Sequence, residues 1–155
     1  MPFLINSLEK SAFQHLFGLA DEQLASLRAV KMIATKIPGF PCRVSLADAE
    51  IGEEVILISY QHQPVASPFQ ASHAVFVRPT ADQAELQPNQ VPEMLRSRML
   101  SLRAFDEKGM MTAADLADGR ALEVAIEEML KDPSVSYIHI HFAKPGCYAA
   151  CATRA

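Results

Sequence analysis

The chain of 155 residues carries 14 basic and 18 acidic side chains, a formal net charge of −4, and is half hydrophobic and 21% charged, the usage of an ordinary globular domain rather than a disordered one. Basic residues scattered over an acidic chain argue against a nucleic-acid partner, which calls for a concentrated cationic stripe. No run reaches the ~20 apolar residues of a membrane span.

A domain of this length buries roughly 68–70% of its unfolded surface and needs no covalent staple. The three cysteines, Cys42, Cys147 and Cys151, are an odd number without framework spacing, which fits reduced thiols in a cytoplasm. The start, MPFLINSLEK, lacks a basic region and a small-residue cleavage site, so a cytoplasmic location is expected.

In chain order, Phe3 to Ile5 is short and apolar. Ser7 is placed to cap a helix with Leu8, Ala12, Phe13, Leu16 and Phe17 along one stripe, closed at Gly18. Asp21 opens a shorter helix with Leu24 and Leu27, and Ala29 to Ile37 reads as a strand. Pro38-Gly39-Phe40-Pro41 forces a turn, and CRVSL after it reads as a short strand. Glu54 to Tyr60 (EVILISY) is a continuous β-rich run expected to be central and buried on both faces, ending in Tyr60, His62 and Gln63.

A loop with Pro64 and Pro68 leads to a strand at Ala74 to Arg78, and Glu85 to Gln87 reads as an edge strand. Pro92 opens a short helix, PEMLRS. Met99 to Phe105 alternates Leu100, Leu102 and Ala104 against Ser101, Arg103 and Phe105. Asp106 to Gly109 suits a hairpin turn, with Met110 to Ala113 returning. Asp118 caps a helix running to Lys131, with Leu122, Ala125, Ile126, Met129 and Leu130 inward, and Pro133 stops it. No repeat or linker divides the chain. The order predicts one α+β domain over residues 1–155: a mostly antiparallel sheet, two N-terminal helices, one longer helix near the C-terminus, and a closing β-hairpin.

That hairpin concentrates the chemistry. On a strand from Tyr137 to Phe142, Tyr137, His139 and His141 share one face, with like-facing residues about 6.5 Å apart. Such histidines can be strand residues bonded to neighbours, the wall of a polar pocket, or two ligands of a metal centre that still needs a third. Loop parity decides what faces them. An even loop, Ala143 to Gly146, sets Tyr148 and Ala150 beside the histidines and hides Cys147 and Cys151; an odd one, Lys144 to Gly146, does the reverse. Pro145-Gly146 favours the even loop. Cys147 with His141 or His139 as base would make a nucleophile, against which stands the frequency of inert buried thiols. Asp115, Asp118, Glu123, Glu127 and Glu128 read as caps and a solvated helix face, and no nucleotide-binding, zinc-protease or nucleophile-elbow motif is present.

Arg43, Tyr60, His62, Arg98, Arg103 and His141 lie on or beside expected strands, where an arginine must reach solvent or find an acceptor. Convergence of several would make an anion-binding cleft. The segments PGFPCRVSLADA, GEEVILISYQHQP, VPEMLRSRMLSLRAFDEKGMM and DPSVSYIHIHFAKPGCYAACATRA resemble the DUF1203 family of bacterial proteins. The resemblance spans nearly the whole chain and implies a bacterial, single-domain cytoplasmic protein, with no catalytic residues to carry over. His73 stands where glycine is more usual in that family, and Phe142 where asparagine often follows the second histidine.

Together these readings favour a cleft near the C-terminal hairpin that binds a small polar or anionic molecule. Arg43, Tyr60, His62, Arg98, Arg103, His139, Cys147 and Tyr148 line it, and His141 is the candidate acid/base because an unperturbed imidazole titrates near ~6.5. Whether it is an enzyme, and what cofactor it uses, stays open. The rivals are a structural or homodimeric protein pairing through an exposed edge such as Ala74 to Val77, and a metal-dependent enzyme using His139 and His141.

Overall fold

Eight strands in consecutive runs are separated by a few short helices, and strand pairing sorts them into two antiparallel sheets. The computed structural model describes all 155 residues. The strands are β1 (Phe3–Asn6), β2 (Ala29–Ile33), β3 (Glu54–Gln63), β4 (Ala71–Val77), β5 (Met99–Phe105), β6 (Met111–Asp118), β7 (Tyr137–Phe142) and β8 (Tyr148–Arg154). The helices are α1 (Asp21–Ser26), α2 (Glu93–Arg96) and α3 (Leu122–Leu130). The larger sheet runs β1-β8-β7-β5-β6 and the smaller β2-β3-β4. The chain is a single α+β domain closing in the β7–β8 hairpin, as expected.

The alternation in β5 and β7 carries straight into packing. Leu100, Leu102, Ala104, Ile138 and Ile140 lie on one face of the larger sheet, fully buried with Leu122, Ile126 and Leu130 of α3. Burying each Leu or Ile contributes on the order of 1.5–3 kcal/mol, so this face anchors the sheet. Asp118 accepts a bond from the Arg120 N–H at 2.9 Å and caps a 3-10 turn that leads into α3. At the other end, the Arg154 guanidinium donates to the carbonyls of Leu130, Asp132 and Val135, satisfying groups that a helix C-terminus leaves open.

A second core joins the smaller sheet to the N-terminal segment through Phe13, Leu16, Leu24, Ile56, Ile58, Val75 and Val77. The helix expected from Ser7 is instead a pair of 3-10 turns, Lys10–Ala12 and Gln14–Leu16. The Leu8 N–H is bonded to the Arg43 carbonyl, which ties the entry to the sheet region. The two residues that must be buried, Phe13 and Leu16, sit three apart, the period of a 3-10 turn. Asp21 is the first residue of α1 and not its cap; the Gln23 side chain accepts from the Ala20 N–H at 3.0 Å.

Other expectations are corrected by side-chain demands. CRVSL is a turn and not a strand: Leu46 N–H donates to the Cys42 carbonyl, Leu46 has φ 52°, and the Cys42 thiol accepts from the N–H groups of Ser45 and Arg78. Glu85 to Gln87 forms no strand. β3 is the central strand of its sheet and is buried on both faces at its start, where Val55 and Ile56 enter different cores, but not further on, where Ile58 is buried and Ser59 is exposed. β4 ends the smaller sheet, yet its free side carries a parallel bridge from Cys42 to Phe76 and a bond from Arg43 N–H to the Phe76 carbonyl. Ala74 to Val77 is therefore an edge covered at Phe76. No helix is long and apolar enough to cross a membrane.

Gly119 is required by space. A Cβ there would lie 1.9 Å from the Leu95 carbonyl oxygen and 2.7 Å from that of Arg96, backbone atoms held by α2. We expect Gly119→Ala to lower stability by about 3 kcal/mol, the upper range for overpacking, read as a fall in the urea midpoint at unchanged m-value. An unchanged midpoint would contradict the close packing of α2 on this turn.

Candidate functional site

The face of the larger sheet opposite α3 carries Arg103 opposite His139, Ser101 opposite His141, and Phe105 opposite Tyr137. β8 continues it, and here loop parity and a bulge act together. Phe142 and Cys147 close a four-residue loop, with Phe142 N–H donating to the Cys147 carbonyl and Gly146 N–H to the Phe142 carbonyl. This is the even loop, and it sets Tyr148 opposite His141 as expected. One step on, the register shifts so that Ile140 faces Ala150 and His139 faces Cys151. The extra residue, Ala149, reverses the facing of all that follows. Ala150 thus leaves the histidine face and Cys151 joins it, contrary to the parity argument.

β3 contributes through a second bulge between Tyr60 and Gln63. Adjacent residues on an unbroken strand point to opposite faces, yet His62 and Gln63 both reach β7. Gln63 Nε2 donates to Tyr137 Oη at 2.9 Å, and the His62 ring lies 5.5 Å from that of His139, 5.1 Å from His141 and 4.9 Å from Tyr148. His73 of β4 completes the group, its Nδ1 2.7 Å from His62 Nε2. Four of the five histidines converge between the sheets.

The ligand nitrogens of His62, His139 and His141 lie within 4.8 Å of one another. His62 Nδ1, His139 Nδ1 and His141 Nε2 are buried without a hydrogen-bond partner. The other nitrogen of His141, Nδ1, is 2.9 Å from the Gly146 carbonyl; a carbonyl only accepts, so Nδ1 carries the proton and Nε2 a free lone pair. Burial pushes the imidazoles down from 6.5, His62 and His141 to about 3 and His139 to about 4, and the Arg103 charge adds to each shift. These rings are neutral at pH 7. The reason for choosing His141 as acid/base, titration near neutrality, is therefore absent in the fold. Tyr148 is raised by burial and Cys151 is pushed up to about 12 by it, so neither supplies an anion.

The remaining expected site residues gather one layer away. Arg43, 1% exposed, donates from Nε to the Tyr148 carbonyl at 2.7 Å, from one terminal nitrogen to the Pro41 carbonyl at 2.6 Å, and from the other to Cys147 Sγ at 2.9 Å. Cys147 thus meets a guanidinium and not a histidine, which removes the His/Cys nucleophile pairing. Arg98 grips Asp48 through two bonds of 2.6 and 2.9 Å, and both guanidiniums lie about 5 Å from the Phe142 ring centroid. Tyr60 packs on Phe13 at 5.2 Å and belongs to the second core. The expected single cleft is two neighbouring sites.

A cavity of about 700 Å³ opens beside the hairpin, lined by Lys36, Arg43, His73, Arg98, Lys144 and Cys147 over apolar walls that include Phe76 and Phe142. His73 belongs to both sites, facing the cavity and touching His62. Sequence reasoning passed over His73, Lys36 and Lys144 as ligand groups. For His73 a signal existed, since it shares the strand face of Val75 and Val77, both buried.

These elements define an α+β domain of two antiparallel sheets with an imidazole cluster at their junction and a cationic cavity against it. The chain belongs to the family described as protein of unknown function (DUF1203), which it matches over residues 39–154, a span that holds all four clustered histidines with Arg43 and Arg103. Comparison with curated proteins and with solved structures gave no match.

The depressed imidazoles set an acid limit. Between pH 6.5 and about 4 the unfolded chain binds protons at His62, His139 and His141 that the folded chain does not, so stability falls as pH falls, by up to about 1.4 kcal/mol per pH unit for each ring. We expect the urea midpoint of the metal-free protein to drop from pH 7 to pH 5, and His139→Gln/His141→Gln to flatten that drop. A midpoint constant over this range would show that the rings protonate freely.

Proposed function

We propose that the protein binds a small anionic molecule in the cavity beside the C-terminal hairpin. The observation that carries this reading is charge: four cations, Lys36, Arg43, Arg98 and Lys144, line the cavity and no acidic residue does, on a chain of net charge −4. Asp48 offsets Arg98 from behind the wall. Arg43 has only carbonyl and thiol partners, so a buried positive charge faces the cavity without a carboxylate, an arrangement that an incoming anion relieves.

The apolar walls and the volume suit a ligand with a carboxylate or phosphate on an organic body. Phe76, Phe142 and the prolines Pro38, Pro41 and Pro145 receive the body while the lysines at the mouth and Arg43 attract the charge. The resemblance to bacterial relatives and three free thiols support a bacterial cytoplasmic setting.

The test is a thermal-shift screen of the purified chain against carboxylates and phosphate monoesters paired with neutral amides and alcohols of the same shape. Anions should raise Tm, their neutral counterparts should not, and the shift should shrink with added salt. Lys36→Gln/Lys144→Gln, which leaves the buried Arg43 in place, should weaken binding severalfold. Equal stabilisation by neutral counterparts, or no stabilisation by any anion, overturns the reading.

A further inference from the structure

We propose that His62, His139 and His141 form a three-imidazole site for a divalent transition-metal ion at the junction of the two sheets, with a fourth coordination position that takes an anionic oxygen. The inference rests on the imidazoles and the neighbouring Arg103 and is independent of the cavity's ligand.

Three observations carry it. The ligand nitrogens come from two separate sheets and lie within 4.8 Å of one another; a tetrahedral ion at ~2.0–2.1 Å from each would draw them to about 3.3 Å apart, a closure within reach of ring rotations. All three rings are at least nine-tenths buried, at 9%, 5% and 1% exposure, and each keeps a nitrogen with no partner. Buried polar atoms are otherwise almost always satisfied, and three such orphans from one cluster point to a shared missing partner. Finally, two of the three rings have the support usual for metal-binding histidines, a second ring nitrogen held by a neighbour. His141 Nδ1 is held by the Gly146 carbonyl and His62 Nε2 by His73 Nδ1. If His62 Nε2–H donates to His73, His62 Nδ1 carries a lone pair.

The donor set selects the ion. Three neutral imidazoles suit zinc, cobalt, nickel, copper or iron, whereas magnesium and calcium want oxygen ligands, and no carboxylate belongs to the cluster. Three ligands leave a position open, as in catalytic and not structural zinc sites. The charge balance then selects what fills it. Neutral ligands leave the ion's two positive charges intact. Arg103 stands opposite His139 with only a 3.4 Å contact to Ser101 Oγ and no acidic partner. An anionic oxygen, whether hydroxide, carboxylate or phosphate, offsets both cations at once.

The full-length chain, stripped with a chelator, is titrated with Co²⁺ while its visible absorption is followed, and with Zn²⁺ against a chromophoric chelator. One metal ion should bind per chain, and excess Mg²⁺ should not displace it. His139→Gln and His141→Gln should lower affinity at least about tenfold, the loss seen even for partners outside the ligand shell, while His15→Gln, an exposed position, leaves it unchanged. Lys36→Gln/Lys144→Gln should also leave metal binding unchanged, which separates this site from the cavity. Should the histidine variants fail to fold, X-ray absorption on the Co²⁺-loaded natural chain decides: imidazole scattering supports the site, and a sulfur-ligated or purely oxygen-ligated ion overturns it. Substoichiometric binding, or equal binding by folded variants, overturns it as well.

Discussion

The Arg43 guanidinium is the bond on which the arrangement of the rest depends. It sits at 1% exposure and donates to Pro41, Tyr148 and Cys147, while its own backbone is bonded to Leu8 and Phe76. One residue therefore ties the N-terminal segment, the edge of the smaller sheet and the closing hairpin of the larger one. Burying a cation is costly, and desolvation lowers its pKa, so the position is tolerable only because each side of the planar fork finds an acceptor. A methionine of similar volume could fill the space but could not hold three segments in register.

With the two sheets held this way, the strand faces that meet are polar. Elsewhere the domain follows the usual rule: α3 and the N-terminal turns cover apolar faces. At the junction, imidazoles, Tyr148, Gln63 and Tyr137 take the place of aliphatic side chains. Neutral imidazole is a costly packing element, since it brings a donor and an acceptor that must each be answered. The cluster answers some of these internally and leaves three nitrogens unanswered, which separates it from a simple aromatic core. His73, touching His62 on one side and the cavity on the other, makes the cluster and the cavity neighbours through one side chain.

Bulges account for much of this geometry. Without the shift at Ala149, Cys151 would turn away from His139; without that between Tyr60 and Gln63, His62 and Gln63 could not both reach β7. A bulge needs only one residue with no pairing partner, and Gln61 or Ala149 looks like any other strand residue in sequence. The hairpin loop, by contrast, was legible, because Pro145-Gly146 restricts the local backbone and local backbone chemistry decides loop length.

By itself the sequence determined what depends on near neighbours: the limits of β5 and β7, the division of each into an aliphatic and a polar face, the inward stripe of α3, and the turn at Gly109 with its φ of 76°. These follow from periods of 2 and 3.6 residues, which any local window contains. Only the tertiary structure decided that Arg43 meets a residue 105 positions away, that β3 lays His62 across β7, and that the expected single cleft divides into a cationic cavity and an imidazole cluster. Partners in separate sheets are chosen by how whole faces and bulged registers fit together, and no local pattern of residues encodes that choice.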